Sequence, residues 1–100
     1  MASNSKLKKL NASRDYIADN YQAPLSLSEI AQYSYMSPYH FLRVFKDTYG
    51  ETPNEFLIRL RVEQAKKMLI TEGFRVSDVC EKVGYTSLGS FSSLFQKHVG

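Results

Sequence analysis

Hydrophobic positions in this chain recur three and four residues apart, in short blocks bounded by Ser, Pro or Gly. That spacing is the mark of amphipathic helices. Phe41, Val44 and Phe45, with Thr48 as a marginal fourth, share one face of a helix. It opens at Ser37-Pro38, an N-cap followed by proline at the first helical position, and stops at Gly50. Ser26-Leu27-Ser28-Glu29 reads as a capping box ahead of Ile30, Ala31 and Ser34. Thr52-Pro53-Asn54-Glu55 is a second capping box. It predicts a long helix with Leu57, Leu60, Ala65, Met68 and Leu69 inward, ending near Gly73. Val76, Val79, Cys80 and Val83 predict another helix, closed by Gly84. Ser87 then caps a helix carrying Phe91, Leu94 and Phe95. A first helix is expected over roughly Lys6 to Asn20, packing through Leu10, Ile17 and Tyr21. No useful length of chain alternates with period two, so the expected fold class is all-α.

The blocks repeat. Ile30-Ala31-Gln32-Tyr33-Ser34-Tyr35-Met36 matches Val79-Cys80-Glu81-Lys82-Val83-Gly84-Tyr85 at an offset of 49 residues. Phe41-Leu42-Arg43-Val44-Phe45-Lys46 and Gly50 match Phe91-Ser92-Ser93-Leu94-Phe95-Gln96 and Gly100 at an offset of 50. Each copy is a short apolar helix, a turn, and a second helix with Phe-x-x-aliphatic-Phe. The second copy carries one extra residue in or beside its turn.

Composition narrows the function. One hundred residues make one domain, or two very small ones, and 43% hydrophobic residues suffice for a core. Cys80 is the single cysteine, which excludes a disulfide framework and fits a reducing, cytoplasmic setting. His40 and His98 stand at no metal-ligand spacing with Cys80, so no metal is expected. No apolar run approaches the ~20 residues of a membrane span. The segment from Met1 to Lys9 is polar and basic, unlike a secretory signal. There is no nucleophile–base pair, paired acidic cluster or glycine-rich phosphate loop, so neither an enzyme nor a cofactor site is expected. The net charge of +3 leans towards an anionic partner.

Two helices joined by a tight turn suggest a helix-turn-helix. An α-helix fits the major groove, and the N-terminal part of the unit's second helix meets base edges. The Phe stripe holds the first copy's second helix on the domain, which leaves Tyr39, His40, Leu42, Arg43 and Lys46 to project. Arg43 can pair with guanine edges, and Tyr39 and Leu42 can pack on thymine methyls. Lys46, Ser37 at the helix start and His40 suit phosphates. Each has a plainer alternative. Arg43 could pair with Asp47 one turn on, Tyr39 could pack across the turn, and His40 could pack in part. Arg61 could pair with Glu63 or Glu55 as readily as with a phosphate. Lys6, Lys8 and Lys9 read most simply as a solvated helix start. Phe41, Phe45, Phe91 and Phe95 read as core and not as a base-stacking platform. Cys80, at the position of Ala31, reads as a buried thiol.

Over about residues 10 to 100 the chain resembles the DNA-binding domain of the AraC/XylS family of bacterial transcription regulators. The resemblance is carried by Leu27-Ser28-Glu29-Ile30-Ala31, Met36-Ser37-Pro38, Phe41-Leu42-Arg43-Val44-Phe45-Lys46 and Gly50-Glu51-Thr52-Pro53. Leu60-Arg61-Val62-Glu63-Gln64-Ala65 and Val83-Gly84-Tyr85 complete it. Tyr16-Ile17-Ala18-Asp19-Asn20-Tyr21 is similar to members fused to receiver or sensor domains. The resemblance implies a seven-helix domain of two homeodomain-like helix-turn-helix subdomains joined by a long central helix. Residues 1–52 would hold the first helix and first unit, 53–72 the linker helix, and 73–100 a truncated second unit, all one DNA-binding domain. The final helix would be missing, leaving part of the Phe91/Phe95 face open. The linker helix would span a large part of one DNA turn of ~34 Å, so two recognition helices could enter successive major grooves.

By position, the family's base-reading residues fall on Tyr39, Leu42 and Arg43, and on Leu88, Gly89, Ser90, Ser92 and Ser93. Gln96 and Lys97 would face phosphates in the second unit. The family usually carries arginine where this chain has Ser93 and lysine where it has Gln96. The first unit is therefore expected to dominate specificity. The implied partner is double-stranded DNA, with room for RNA polymerase as a further one and for an activator's role. An effector or receiver domain is expected before Met1 in the full-length protein, and no small-molecule ligand in this domain. A helical protein-interaction module with degenerate DNA binding is the alternative.

Overall fold

The computed structural model describes the backbone of residues 2–99 and the side chains of residues 5–98. Among the described residues there are six α-helices and no strand. They are α1 (Ala2–Asp19), α2 (Leu27–Ala31), α3 (Pro38–Tyr49), α4 (Pro53–Ile70), α5 (Val76–Lys82) and α6 (Leu88–Val99). A 3-10 turn over Gln32–Ser34 follows α2 directly. The chain divides into two compact units. The first joins the residues up to Asn20 with Leu25–Leu57, and the second joins Tyr21–Pro24 with the residues from Ile58 onward.

In the first unit, Leu10 and Ile17 of α1 are buried together with Ile30, Ala31, Phe41, Phe45, Phe56 and Leu57. The Phe45 ring lies 5.5 Å from Phe41, 4.7 Å from Tyr49 and 6.2 Å from Phe56. Ser37 Oγ accepts the His40 N–H and Pro38 takes the first helical position, so α3 starts where its sequence directs. Gly50 ends it at φ +78, with its N–H donating to the Lys46 carbonyl at 2.8 Å. The box that opens α4 forms in both directions: Thr52 N–H donates to Glu55 Oε1 and Glu55 N–H to Thr52 Oγ1. The Ser26 box forms in one direction only. Ser26 Oγ accepts the Glu29 N–H at 3.1 Å, while the Glu29 carboxylate accepts the Tyr16 hydroxyl.

Tyr35 closes the turn before α3 at φ +57, a left-handed conformation that costs a non-glycine residue about 1–2 kcal/mol. Its repeat counterpart, Gly84, also has positive φ. There the second unit forms a Schellman cap: Tyr85 N–H donates to the Cys80 carbonyl and Gly84 N–H to the Glu81 carbonyl. The core of this unit is Ala65, Val79, Cys80, Val83 and Phe91, flanked by Tyr21, Met68, Leu69, Tyr85 and Phe95. Cys80 is a buried free thiol, as the repeat alignment expected.

Several expectations need correction. The first helix begins at Ala2 and ends at Asp19. Tyr21 packs in the second unit's cluster. Thr48 is exposed, Leu60 half-buried and Val76 exposed. Leu94 and Phe95 are half-buried, unlike their buried counterparts Val44 and Phe45. Phe56 and Val62 are buried although the helical spacing did not single them out.

Candidate nucleic-acid interface

Helix α3 is two-faced. Phe41 and Phe45 are fully buried and Val44 nearly so. On the opposite side Tyr39, His40, Arg43 and Lys46 are exposed, Tyr39 by 70%. Tyr39, Arg43 and Lys46 are spaced by four and three residues, so they form one stripe. The Arg43 guanidinium lies 5.9 Å from the Tyr39 ring centre. Among the described residues no ion pair joins it to Asp47, so its five donors remain for a partner. The Ser37 hydroxyl is engaged as the N-cap, and its proton remains to donate.

Leu42 sits elsewhere. It is half-buried at the edge of the stripe, on an apolar cavity of about 250 Å³ with Leu25, Leu27, Ile30, Pro53 and Leu57. The exposed placement expected for it is therefore corrected. One edge of the side chain remains at the surface, because α3 turns it 60° away from Tyr39's direction.

Helix α6 repeats the frame with different chemistry. Ser87 Oγ accepts the Ser90 N–H at 3.3 Å, and Phe91 is buried. Gly89, Ser90, Ser92, Ser93, Gln96 and Lys97 are exposed, and Leu88 is 48% exposed. Gly89, Ser90, Ser93, Leu94 and Lys97 line a shallow groove. A Cβ on Gly89 would meet only Ser87 Oγ, at 3.8 Å, so this face is open. Where α3 offers Tyr39, Arg43 and Lys46, α6 offers Gly89, Ser93 and Gln96. Both helices thus expose their proposed reading positions apart from half-buried Leu42, and only the first bears cations there.

Among the described residues Arg61 pairs with neither Glu63 nor Glu55. Its Nε donates to the Tyr21 carbonyl at 2.7 Å and its Nη2 to the Ala23 carbonyl at 2.9 Å. Its guanidinium lies 5.1 Å from the Tyr85 ring centre. It is a positioning residue for the segment 21–24, invisible to a local reading because its partners stand about forty residues back. Arg14 was not singled out either; its guanidinium lies 5.0 Å from the Tyr49 ring and 4.8 Å from that of Phe56. Arg59, by contrast, pairs with Glu63 at 3.3 Å on the exposed surface.

Three ionisable groups are displaced by their surroundings. The hydrogen bond that Tyr16 donates to Glu29, then burial, push its phenol up to about 12. Burial raises Tyr49, with Arg14 opposing. The Thr52 backbone N–H, then its hydroxyl, hold the Glu55 carboxyl below its ordinary value. All three serve packing or capping. Among the described residues no group of three or more His, Cys, Asp or Glu comes together to hold a metal. No helix among them is long and apolar enough to cross a membrane.

The geometry has counterparts. A family profile described as "Helix-turn-helix domain" matches residues 30–100. The bifunctional transcriptional activator/DNA repair enzyme AdaA of Bacillus subtilis is 36% identical over 86 residues, 86% of this chain and 41% of that protein. The chain therefore spans well under half of that relative's length. A solved transcriptional regulator from Chromobacterium violaceum, described as AraC-type DNA-binding, superposes with a TM-score of 0.82 at 26% identity. That match covers 98% of this chain and 86% of that one. The DNA-binding domain of AdpA, solved in complex with a target DNA, superposes with a TM-score of 0.84 at 26% identity. It covers 91% of this chain and 82% of that one.

Proposed function

Because the chain belongs to the AraC-type helix-turn-helix family of transcription regulators, we propose that it is the sequence-specific, double-stranded-DNA-binding output domain of a bacterial regulator. The observation that carries this reading is the two-sided α3: a sealed Phe41–Val44–Phe45 face behind an open Tyr39–Arg43–Lys46 stripe. In this reading α3 enters the major groove, Arg43 takes a guanine edge bidentately, and Tyr39 packs on a thymine methyl. Leu42 adds an apolar contact at the stripe's edge. Ser37, His40 and Lys46 hold flanking phosphates and fix the register. Helix α6 enters the successive major groove through Leu88, Gly89, Ser90, Ser92 and Ser93. Gln96 and Lys97 face the backbone there. Lacking a cation at Ser93, it contributes less specificity than α3.

The AdpA domain, which superposes over nine-tenths of this chain, has been solved on its target DNA, and AdaA is a transcriptional activator; both support the assignment. The domain works without catalytic groups of its own, in the cytoplasm, with an effector or receiver domain attached at its N-terminal side. RNA polymerase is a further partner of the full protein.

Selection from a random duplex pool at two salt concentrations tests the proposal. Wild-type protein recovers a defined site, and its affinity falls with salt at a log–log slope of about −0.9 per phosphate held. Arg43→Ala costs about 1–3 kcal/mol and relaxes preference at one position. Ser93→Arg tightens binding and steepens the salt dependence. The poverty of charge on α6 favours a second reading, a protein-interaction module. Failure to enrich any site at low salt, with a partner interface indifferent to salt, establishes that reading instead.

A further inference from the structure

Lys6, Lys8 and Lys9 are exposed, as a solvated helix start would be, yet two of them share a surface feature. Lys8 and Lys9 line an open groove with Ser5, Gln32, Tyr33 and Tyr35, and no carboxylate lies on its walls. The groove belongs wholly to the first unit. Two features single it out. Tyr35 holds a left-handed backbone at φ +57, where the repeat places a glycine, yet its side chain is 83% exposed. The strain therefore serves no burial. Beyond closing the turn, non-glycine residues held in strained backbone cluster at ligand clamps and switch regions. The Lys9 ammonium also stands 5.4 Å from the centre of the Tyr35 ring, which gathers a cation and a phenol hydroxyl at one mouth. Tyr33 is braced from behind by stacking on Tyr16 at 4.2 Å, so this wall is stiff.

We propose that this groove grips one sugar-phosphate strand of the same duplex that α3 reads. The inference rests on the DNA-binding reading and extends it to a surface outside the two recognition helices. Its residue types are those that contact phosphates: lysine, tyrosine, glutamine and serine. Position supports it as well. Tyr35 stands two residues before the Ser37 cap of α3, at most about 7 Å along the chain. A helix about 10–12 Å across fills a major groove about 12 Å wide. Whatever immediately precedes its first turn therefore meets a flanking backbone strand. The groove is cationic and hydroxyl-bearing, and a grip on the sugar-phosphate backbone holds the strand whatever its sequence. An acidic protein segment is the competing occupant.

The test uses the whole chain with its selected site and with a random duplex. Lys8→Gln/Lys9→Gln lowers the salt slope by about 1.8 and weakens both duplexes by the same factor. Tyr35→Phe, which changes no charge, weakens both several-fold. An unchanged slope in the double variant overturns the proposal and leaves the groove to an acidic partner. A loss confined to the selected site also overturns it, because a grip on the backbone reads no bases. If wild-type protein holds no duplex, the DNA-binding reading itself falls. If wild-type binds and only the groove variants are silent, the groove assignment alone falls.

Discussion

Gly84→Ala is expected to be far more damaging than a glycine-to-alanine change at a surface turn. Two costs add. Gly84 has φ +100, and a side chain in such a conformation costs about 1–2 kcal/mol. The new Cβ would also stand 2.7 Å from the Gln22 carbonyl oxygen, 3.1 Å from its carbon and 3.0 Å from Arg61 Nη2. None of these is the free end of a flexible chain. The carbonyl is backbone, and the Arg61 nitrogen is held by Ala23 at 2.9 Å. Relief requires residues 21–24 to move, which stretches both Arg61 hydrogen bonds, and a bond to a charged group contributes about 1.5–3 kcal/mol. The total is about 3–5 kcal/mol, a large part of a small domain's stability. It corresponds to a fall in Tm of about 15–30 °C. Gly73→Ala is the control: it has φ +70 but nothing within 4 Å of its Cβ, so only the first cost applies. Thermal and urea unfolding followed by circular dichroism compare the two variants. Equal destabilisation by both would falsify the close approach of Gly84 to Gln22.

Phe45→Ala is expected to cost about 3–5 kcal/mol, since the ring is fully buried among three other rings; a retained Tm contradicts the assignment of that face to the core. Arg61→Ala removes two hydrogen bonds and is expected to cost about 2–4 kcal/mol, with Arg61→Lys in between, because an ammonium lacks the fork that spans both carbonyls. Urea unfolding measures both; a lysine variant as stable as wild type removes the need for the fork. Tyr16, pushed up to about 12, is expected to ionise well above the ordinary phenol value. Because its folded value is raised, its stabilising contribution is complete below the ordinary phenol value of about 10 and fades as pH climbs through 12. Ultraviolet titration of wild type and Tyr16→Phe checks this: the variant loses a component near 12, and a variant that keeps it contradicts the assignment.

What the sequence disclosed was what depends on neighbours in the chain. Ser37-Pro38, Thr52 with Glu55, and Ser87 announced three helix starts, because a cap and its target lie three residues apart. Two Phe-x-x-aliphatic-Phe stripes announced two buried faces. Helix α4 was harder. Its first residues bury Phe56 and Leu57 in one unit and its later ones bury Val62 and Ala65 in the other, so one inward direction does not describe it. Arg61 was unreadable because carbonyls have no sequence signature and these lie 38 and 40 residues away. Glu29 looked like half of a capping box and instead serves Tyr16, a partner 13 residues earlier. The left-handed backbone of Tyr35 did have a signal: the repeat aligns it with a glycine.

The four residues Tyr21–Pro24 come before α2 in sequence yet belong to the second unit, tied there by Arg61 and pressed against Gly84. The gene therefore has no clean cutting point. A recombinant fragment starting at Ile58 would lack the peptide over which its own turn is built, leaving Arg61 without its two acceptors. A fragment ending at Leu57 would carry that peptide as a loop with its anchor removed. The second half finishes folding only with a short loan from the first half's stretch of chain.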